Sequence, residues 1–413
     1  MLKNSVIFIV ASLILYAVLE IFFFSWAPYF FPEIAIRYLN NDIGVLAQNS
    51  KAGAVPVDYI AVMGDSYAEG AGDWGDAEAG KPMARYSSAH LIQDNTQRDV
   101  ITLGVSGCGS IRAMITEPFI KMGYIKKYLS SIIKDPDIAL VYFYEGNDLY
   151  DNFAYFKYSY PVLYSGNDIF NEKIFEEYIN RYALENYRLW NEVNNTKYVN
   201  FLPLFTFAKT LFELKVSGKI PEKQWNPPWQ LAESSWFMGG VTPGPGRSVN
   251  IVNVDGNAVV LPDNIQGPTV GLSDEELRIA YYSFEQSLRL SMKRFPSTKY
   301  VIVYIPSVLN SYQIASETVN VQTFENRAHI HATSDFIATS NSIRINIKEI
   351  AKRYGVDVID TTDDIKAFAA HEIIHGPNDW NHFNRRGYEI FSESIVKHLP
   401  ELDQGNPSVL KKR

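Results

Sequence analysis

The chain has 413 residues, of which 46% are hydrophobic and 14% aromatic, enough to bury one large core or two modest ones. Its formal net charge is −8 and it has no stripe rich in lysine and arginine, which excludes the electrostatic footprint of a nucleic-acid-binding protein. The single cysteine, Cys108, excludes an intrachain disulfide framework and any multi-cysteine zinc site.

The first predicted element is an apolar segment, Val6 to Trp26, which is long enough to cross a hydrocarbon core of about 30 Å. Lys3 precedes it and bulky aromatic residues follow it, whereas a cleaved signal peptide has a shorter apolar stretch and a small-residue exit. We therefore expect an uncleaved transmembrane helix with the remaining bulk of the chain outside the cytoplasm, in the periplasm if the source is Gram-negative. Glu20 interrupts the span, and we expect it to reach the lipid headgroups rather than a membrane partner.

Five short apolar runs follow, and each is rich in the β-branched and aromatic residues that are typical of buried parallel strands. Helix-sized segments separate them, which favours an α/β fold with a parallel sheet and crossover connections. The runs are residues 58–64, 99–104, 137–144, 299–306 and 356–360.

One interval departs from this alternation of strands and helices, because residues 149–271 are too many for a single crossover connection. The interval contains an aromatic-dense stretch, helix-like segments near 170–190 and 203–215, and a section rich in proline, glycine and tryptophan. Asp255-Gly256 then separates two strand-like halves, which predicts a hairpin. We interpret the interval as a large cap inserted into the sheet domain.

The regular pattern resumes after the interval, where Ser273 and Glu276 have the spacing of a helix capping box. The expected organisation is an anchor at 1–30, a linker at 31–56, a domain at 57–400 with its inserted cap at about 149–271, and a tail at 401–413.

Ser66 stands directly after the first predicted strand, at the edge of an open α/β sheet where sites assemble. A serine hydroxyl becomes a nucleophile when a base takes its proton, a third group orients that base, and donors await the oxyanion. Asp379 and His382 are three residues apart, so one turn brings a carboxylate to the imidazole. Gly107 and Asn147 follow the second and third strands and supply candidate oxyanion donors.

Four short sequence blocks carry these residues: GDS at 64–66, TLGVSG at 102–107, EGND at 145–148 and DWNH at 379–382. They resemble the blocks of the SGNH/GDSL hydrolases and occur in that family's order. The resemblance implies a flavodoxin-like three-layer α/β sandwich that needs no metal or organic cofactor. It also implies a triad of Ser66, Asp379 and His382. The oxyanion hole would be formed by Ser66, Gly107 and Asn147. The longer sequences around the blocks are similar to those of a membrane-anchored, extracytoplasmic subgroup.

The resemblance covers residues 58–150 and 299–400 and leaves the insert outside. Two positions depart from the family pattern. Thr102 stands where the second block has asparagine, and Glu145 stands where the third block has glycine. We expect Glu145 to add a charge near the oxyanion region.

The main rival is a zinc site, because the sequence HEIIH at 371–375 matches a motif in which two histidines one helical turn apart bind the metal. Gly376-Pro377 would end such a helix at its second histidine, which leaves a ligand on a fraying end. We therefore favour a plain helix end at HEIIH.

Two further matches are weaker. GAGDWG at 70–75 fits a dinucleotide-binding pattern, but it begins six residues beyond the strand, and Asp73 stands where a pyrophosphate would bind. Ser106 nearly completes a nucleophile elbow, but Cys108 occupies the position of the closing glycine. We interpret the first match as chance and Ser106 as a neighbour of the oxyanion glycine.

The predicted site performs acyl transfer through an acyl-enzyme, and the acceptor decides the function. With water the protein is an esterase for acyl or acetyl esters of cell-envelope glycans or lipids. With a sugar hydroxyl it is an O-acetyltransferase of a surface polysaccharide, supplied by a multi-pass membrane acyl donor protein. A non-catalytic glycan-binding or scaffold subunit is the third alternative.

The insert begins two residues after Asn147, so we expect it to lie over the Ser66/His382 crevice and to line it with an aromatic side chain. Its tryptophans either stack on sugar rings or form the core of the cap itself. They are Trp225, Trp229 and Trp236.

Overall fold

The computed structural model describes residues 2–33, 35–36, 44–122, 133–159, 168–186, 202–216, 249–323 and 327–403. Its strands are β1 (Ile60–Met63), β2 (Val100–Thr102), β3 (Ile138–Tyr144), β4 (Ile251–Val254), β5 (Asn257–Val260), β6 (Ile265–Gln266), β7 (Lys299–Ile305), β8 (Gln313–Ile314), β9 (Thr318–Thr323), β10 (Arg327–Ala332) and β11 (Asp357–Asp360). Its α-helices are α1 (Leu2–Ile21), α2 (Phe23–Trp26), α3 (Ser66–Glu69), α4 (Asp73–Glu78), α5 (Ser88–Thr96), α6 (Asp148–Ala154), α7 (Glu172–Tyr178), α8 (Pro203–Val216), α9 (Asp274–Arg294), α10 (Thr333–Tyr354), α11 (Thr362–Ala369) and α12 (Arg385–Asp403).

The central sheet has five strands in the order β2-β1-β3-β7-β11, and every neighbouring pair is parallel. Counted along the chain, this is the order 2-1-3-4-5 of a flavodoxin-like doubly wound sheet. All five predicted runs are strands of this sheet, and the predicted α/β class with a parallel sheet is confirmed.

Helices cover both faces of the sheet. Successive side chains along each strand point to opposite sides, so each strand contributes to two cores. Ala61 and Met63 of β1 pack in a core with α9 and α10, whereas Ile60 and Val62 pack in a second core with α5 and α12. Each central strand therefore has two apolar faces, which is why the strands read as continuous apolar runs in the sequence. The result is a three-layer sandwich.

The edge strand β2 is covered by the chain that precedes the sheet. The side chain of Gln48 binds both the N–H and the carbonyl of Thr102, at 2.8 and 2.7 Å. The N–H of Val100 donates to the carbonyl of Ser50 at 2.8 Å. Residue 48 thus lies beside the carboxyl end of β2 and residue 50 beside its amino end, so the chain reaches the domain from the carboxyl edge of the sheet.

The described parts of the insert lie in separate places. Phe153 and Phe175 join the core on the α9 face of the sheet. The hairpin prediction is confirmed, since β4 and β5 pair on either side of Asp255 and Gly256, which both have the positive φ that the turn requires. The N–H of Gln266 in β6 donates to Asn381 Oδ1 at 3.0 Å, so this strand contacts the loop that carries His382.

The rest of the insert includes the three tryptophans, which lie outside the described residues. Placement of an aromatic wall over the crevice therefore stays a prediction.

The capping box is confirmed, since the N–H of Ser273 donates to Glu276 Oε2 at 2.8 Å and the N–H of Glu276 donates to Ser273 Oγ at 3.4 Å.

The N-terminal helix α1 is long and apolar enough to cross a membrane over Asn4–Ile21, where its mean hydropathy is 2.1. That Glu20 lies at the level of the lipid headgroups stays a prediction, and its carboxylate binds protein at that end of α1. Its buried carboxylate accepts the N–H groups of Leu204 and Phe205, both at 2.9 Å. The first amides of a helix have no partner within that helix, and Glu20 satisfies two of them at the start of α8.

Candidate active site

Ser66 is the first residue of α3, in the turn that leaves β1. The preceding residue, Asp65, caps this short helix by accepting the N–H of Tyr67 at 3.1 Å. The Ser66 hydroxyl lies 3.3 Å from the second oxygen of the same carboxylate. The serine is therefore held at the carboxyl end of a central strand, at the predicted edge of the sheet.

His382 joins Ser66 to Asp379 in one chain of hydrogen bonds. Nε2 of His382 lies 2.7 Å from Ser66 Oγ, and Nδ1 lies 2.6 Å from Asp379 Oδ2. When Nδ1–H donates to the carboxylate, Nε2 carries the lone pair that accepts the serine proton. The fold brings the three predicted residues into hydrogen-bond contact although Ser66 and His382 are 316 positions apart.

Asp73 holds the loop that carries Asp379 and His382, a role that the sequence did not reveal. Its carboxylate accepts the N–H of Asn378 at 2.9 Å and that of Asp379 at 3.0 Å. The Tyr67 hydroxyl donates to the carbonyl of Asn381 at 2.8 Å. Asp73 belongs to the segment whose match to a nucleotide-binding pattern we ascribed to chance, and here it binds the backbone of this protein.

A glycine allows this loop to approach α4 closely. A Cβ on Gly72 would lie 2.8 Å from the carbonyl oxygen of Phe383 and 3.0 Å from the Cβ of His382. Such contacts would displace the loop, because real side chains do not pack so closely. The short-range sequence around residue 72 shows no sign of this contact, since its partner lies more than 300 residues away.

The electrostatics of the site favour an ion pair between Asp379 and His382. Burial alone would lower the pKa of the His382 imidazole, but attraction to Asp379, their hydrogen bond and the nearby Asp65 carboxyl outweigh it and raise the pKa above its ordinary value. Burial likewise would raise the pKa of Asp379, but the imidazole outweighs that effect and lowers it. Asp65 differs, since burial dominates and raises its pKa.

The two predicted oxyanion residues border the Ser66 turn. Gly107 has φ of 66°, a left-handed conformation that favours glycine, and the thiol of the next residue, Cys108, contacts the carbonyl of Gly64 at 3.9 Å. Asn147 is buried, and its side chain hydrogen-bonds the carboxyl of Asp65. Its Oδ1 has no hydrogen-bond partner within the described residues. Both residues thus lie around the turn that carries the serine.

Glu145 was expected to add a charge near the oxyanion region, but its carboxylate faces the neighbouring strand β7 instead. Its carboxylate is completely buried and accepts hydrogen bonds from the side chains of Tyr304, Ser307 and Asn310 at 2.9, 3.1 and 3.1 Å. These donors belong to β7 and the loop after it, so the carboxylate lies on the β7 side of β3, away from β1. Burial raises its pKa above the ordinary value.

The other departure, Thr102, binds the helix that follows the serine. Its hydroxyl donates to the carbonyl of Ala68 at 2.6 Å. Ser106 is also engaged, since its hydroxyl donates to Glu69 Oε2 at 2.5 Å and its N–H donates to the same oxygen at 2.8 Å. Ser106 therefore holds the loop that carries Gly107 to the end of α3.

The HEIIH segment does not have the geometry of a zinc motif. The expected helix end is wrong, because α11 ends at Ala369 and residues 371–375 are not helical. The side chain of His371 is 75% exposed, whereas His375 is buried against the Tyr312 hydroxyl at 2.9 Å. Burial lowers the pKa of His375 to about 3. Within the described residues, no three histidine, cysteine or acidic side chains are grouped closely enough to hold a metal ion.

Comparison with known proteins yields structural similarity alone. No family model matches the chain, and no curated protein sequence matches it. The structure is similar to a candidate GDSL-like lipase from Parabacteroides merdae ATCC 43184, with 9% identity, a TM-score of 0.36, and coverage of 83% of this chain and 96% of that one. It is also similar to LAE5, an alpha/beta hydrolase from the metagenome of Lake Arreo, Spain, with 11% identity, a TM-score of 0.33, and coverage of 83% and 95%.

Proposed function

We propose that this protein is a serine esterase of the SGNH/GDSL type that cleaves acyl or acetyl esters of cell-envelope glycans or lipids. The observation that carries the proposal is the continuous hydrogen-bonded series from Ser66 Oγ through His382 to Asp379, at 2.7 and 2.6 Å. A nucleophile, a base and an orienting carboxylate in this order are the parts that acyl transfer requires.

In the proposed reaction, Ser66 Oγ attacks the ester carbonyl while His382 Nε2 takes the hydroxyl proton. Asp379 stabilises the imidazolium that forms. The backbone N–H groups of Ser66 and Gly107 and the side-chain amide of Asn147 are the donors for the oxyanion. The imidazolium then protonates the leaving alcohol, which leaves the acyl group on Ser66. Water attacks this acyl-enzyme and gives a proton to His382. Collapse of the tetrahedral intermediate then releases the carboxylic acid, and the imidazolium returns the proton to Ser66 Oγ.

The same acyl-enzyme also supports transfer to a sugar hydroxyl, since only the acceptor in the second step differs. We further propose that α1 anchors the protein in a membrane, with the domain on the extracytoplasmic side. Its length, its hydropathy and the exposure of most of its apolar side chains support the span, and Lys3 before it supports the orientation.

The first test uses the full chain in detergent and a fluorophosphonate, which reacts with activated serines. Peptide mass spectrometry should find the phosphonyl adduct on Ser66 in the native protein, and none after heat denaturation. Ser66→Ala should abolish both labelling and turnover of 4-nitrophenyl acetate, with an unchanged circular dichroism spectrum. Labelling of another residue, or wild-type turnover by Ser66→Ala, would refute the proposal.

A second incubation distinguishes hydrolysis from transfer. Addition of oligosaccharide acceptors to the ester assay should leave free acetate as the main product of an esterase. Appearance of an acetylated sugar, with a matching loss of free acetate, would instead identify an O-acetyltransferase.

A further inference from the structure

Several exposed apolar side chains surround the end of α1 that adjoins the domain. Five of them form a group that we call the collar. They come from two parts of the chain, the segment after α2 and the region formed by α8 and the residue before it. The collar consists of Tyr29, Phe30, Leu202, Phe205 and Phe212, which are 65%, 69%, 42%, 52% and 67% exposed.

The collar is attached to α1 by specific contacts. Glu20, in the last turn of α1, binds the first amides of α8 at 2.9 Å. The indole of Trp26 donates to the carbonyl of Leu19 at 2.9 Å and packs against Phe30 with ring centroids 6.1 Å apart. Both parts of the collar are therefore held beside the end of the same helix.

The two sides of α8 have different environments. Phe207 is buried, and its ring packs against Phe23 and Phe31 with centroids 5.9 and 4.6 Å away. Phe205 and Phe212 are seven residues, or about two helical turns, apart, so they lie on one face of α8, and both are exposed. One side of α8 thus packs on the protein, and the other presents phenylalanines with no protein over them in the described part of the chain.

The depth of α8 follows from the length of α1. The 18 residues Asn4–Ile21 span about 27 Å at the helical rise of about 1.5 Å per residue, close to a hydrocarbon thickness of about 30 Å. Glu20 and the start of α8 therefore lie at the boundary between the hydrocarbon and the headgroups. A carboxylate is tolerated there when its oxygens are hydrogen-bonded, and aromatic side chains are enriched at this level.

We propose that the collar is a docking surface for the lipid bilayer that α1 spans. The exposed side of α8 then contacts the boundary between the lipid headgroups and the acyl chains. The inference requires that α1 crosses the membrane, and it is independent of the chemistry at Ser66. A helix with phenylalanines on one side suits contact with a lipid bilayer, because aromatic and aliphatic side chains bury between the headgroups and the acyl chains.

The docking surface lies at the same edge of the sheet as the candidate active site. Ala47 packs in one buried cluster with Phe23 and Phe207. The next residue, Gln48, binds Thr102 at the carboxyl end of β2, and Ser66 follows the carboxyl end of β1. The collar therefore holds the Ser66 edge of the domain towards the bilayer rather than the opposite edge.

The test places a fluorescent probe on the collar of the full chain. In a Cys108→Ser background, Phe212→Cys is labelled with the environment-sensitive dye NBD and reconstituted in phosphatidylcholine/phosphatidylglycerol vesicles. The matched control is Ile345→Cys on α10, whose native side chain is 57% exposed. We expect the probe at 212 to emit at shorter wavelength and to be quenched at least threefold more strongly by shallow doxyl-labelled lipids than the probe at 345.

A second labelled variant, Phe30→Cys, lies outside α8 and controls for distortion of that helix by the label at 212. We expect the same emission shift and quenching at 30 as at 212. Equal quenching of the collar and control probes would overturn the proposal. Protection of the collar probes from aqueous iodide without lipid quenching would also overturn it. If that protection weakened on dilution of the protein in lipid, the surface would be assigned to a second copy of the chain instead.

Discussion

Two histidine-containing segments lie almost next to each other in this chain, and the fold treats them differently. Residues 379–382 place a carboxylate and an imidazole 2.6 Å apart, with the other imidazole nitrogen 2.7 Å from a serine. Residues 371–375 match a stricter motif by spacing, but one ring points to solvent and the other is buried.

The difference comes from what each segment packs against. The 379–382 loop is held by Asp73 and Tyr67, which bind its backbone N–H and carbonyl groups. The HEIIH motif presumes a helix, which brings residues four apart onto one face, but this segment follows the end of α11 and is not helical. Spacing therefore predicts a site only when the backbone between the residues has the assumed conformation.

The largest expected effect compares the two segments directly. His382→Ala should lower kcat/KM for a soluble ester by a factor on the order of 10⁴–10⁶, because the serine loses its base. His371→Ala should leave it within about twofold, since that side chain is exposed and lies beside Asp255 in the β4–β5 turn. Steady-state assays of both variants and of wild type with EDTA check this. Loss of activity in His371→Ala, or on chelation with restoration by zinc, would reverse the roles of the two segments.

Asn147→Ala should have the next largest effect, a loss on the order of 10²–10³-fold in kcat if its amide stabilises the oxyanion. KM should change little, because the interaction is made in the transition state. The control is Asn341→Ala, an exposed residue on α10. A fall confined to KM would show that Asn147 binds the substrate rather than the transition state.

A smaller loss, about tenfold in kcat, is expected of Asp73→Ala, which removes the acceptor for two backbone N–H groups of the His382 loop. Asp73→Asn keeps one acceptor oxygen and should lose less. Glu78→Gln in the same helix is the control. A positioning role requires that the thermal midpoint and KM stay close to wild type while kcat falls. A parallel fall of the thermal midpoint and of kcat would make Asp73 a purely structural residue.

The smallest effect is a shift in pH dependence. The base must be neutral, so activity should fall as pH drops through the pKa of His382, which the Asp379 carboxylate raises above the ordinary value of about 6.5. Asp379→Asn removes the charge that favours the imidazolium, so the midpoint of its residual activity should move to lower pH. Profiles of kcat/KM against pH, recorded between pH 5 and about 9 for the wild type and Asp379→Asn, measure this shift of the midpoint. An unchanged midpoint would mean that another group controls the profile.

Local patterns in the sequence determined much of this protein. The five strands, the Asp255-Gly256 hairpin and the Ser273 capping box depend on side-chain burial, turn conformation and contacts within a few residues, so short stretches reveal them. The contact of Ser66 and Asp379 with His382 was also predictable. Each stands at a strand end or in one short block, and the parallel topology brings such places to a single edge.

Only the tertiary structure decided the remaining features. Glu20 binds the start of α8, Asp73 binds the His382 loop, and Glu145 is enclosed by donors from β7. The partners of these carboxylates lie more than 150 residues away in the chain. A carboxylate has the same local signature whether it faces solvent, lipid or a backbone N–H. Its role is fixed by the packing that removes water from it and supplies the donors, and that packing depends on distant parts of the chain.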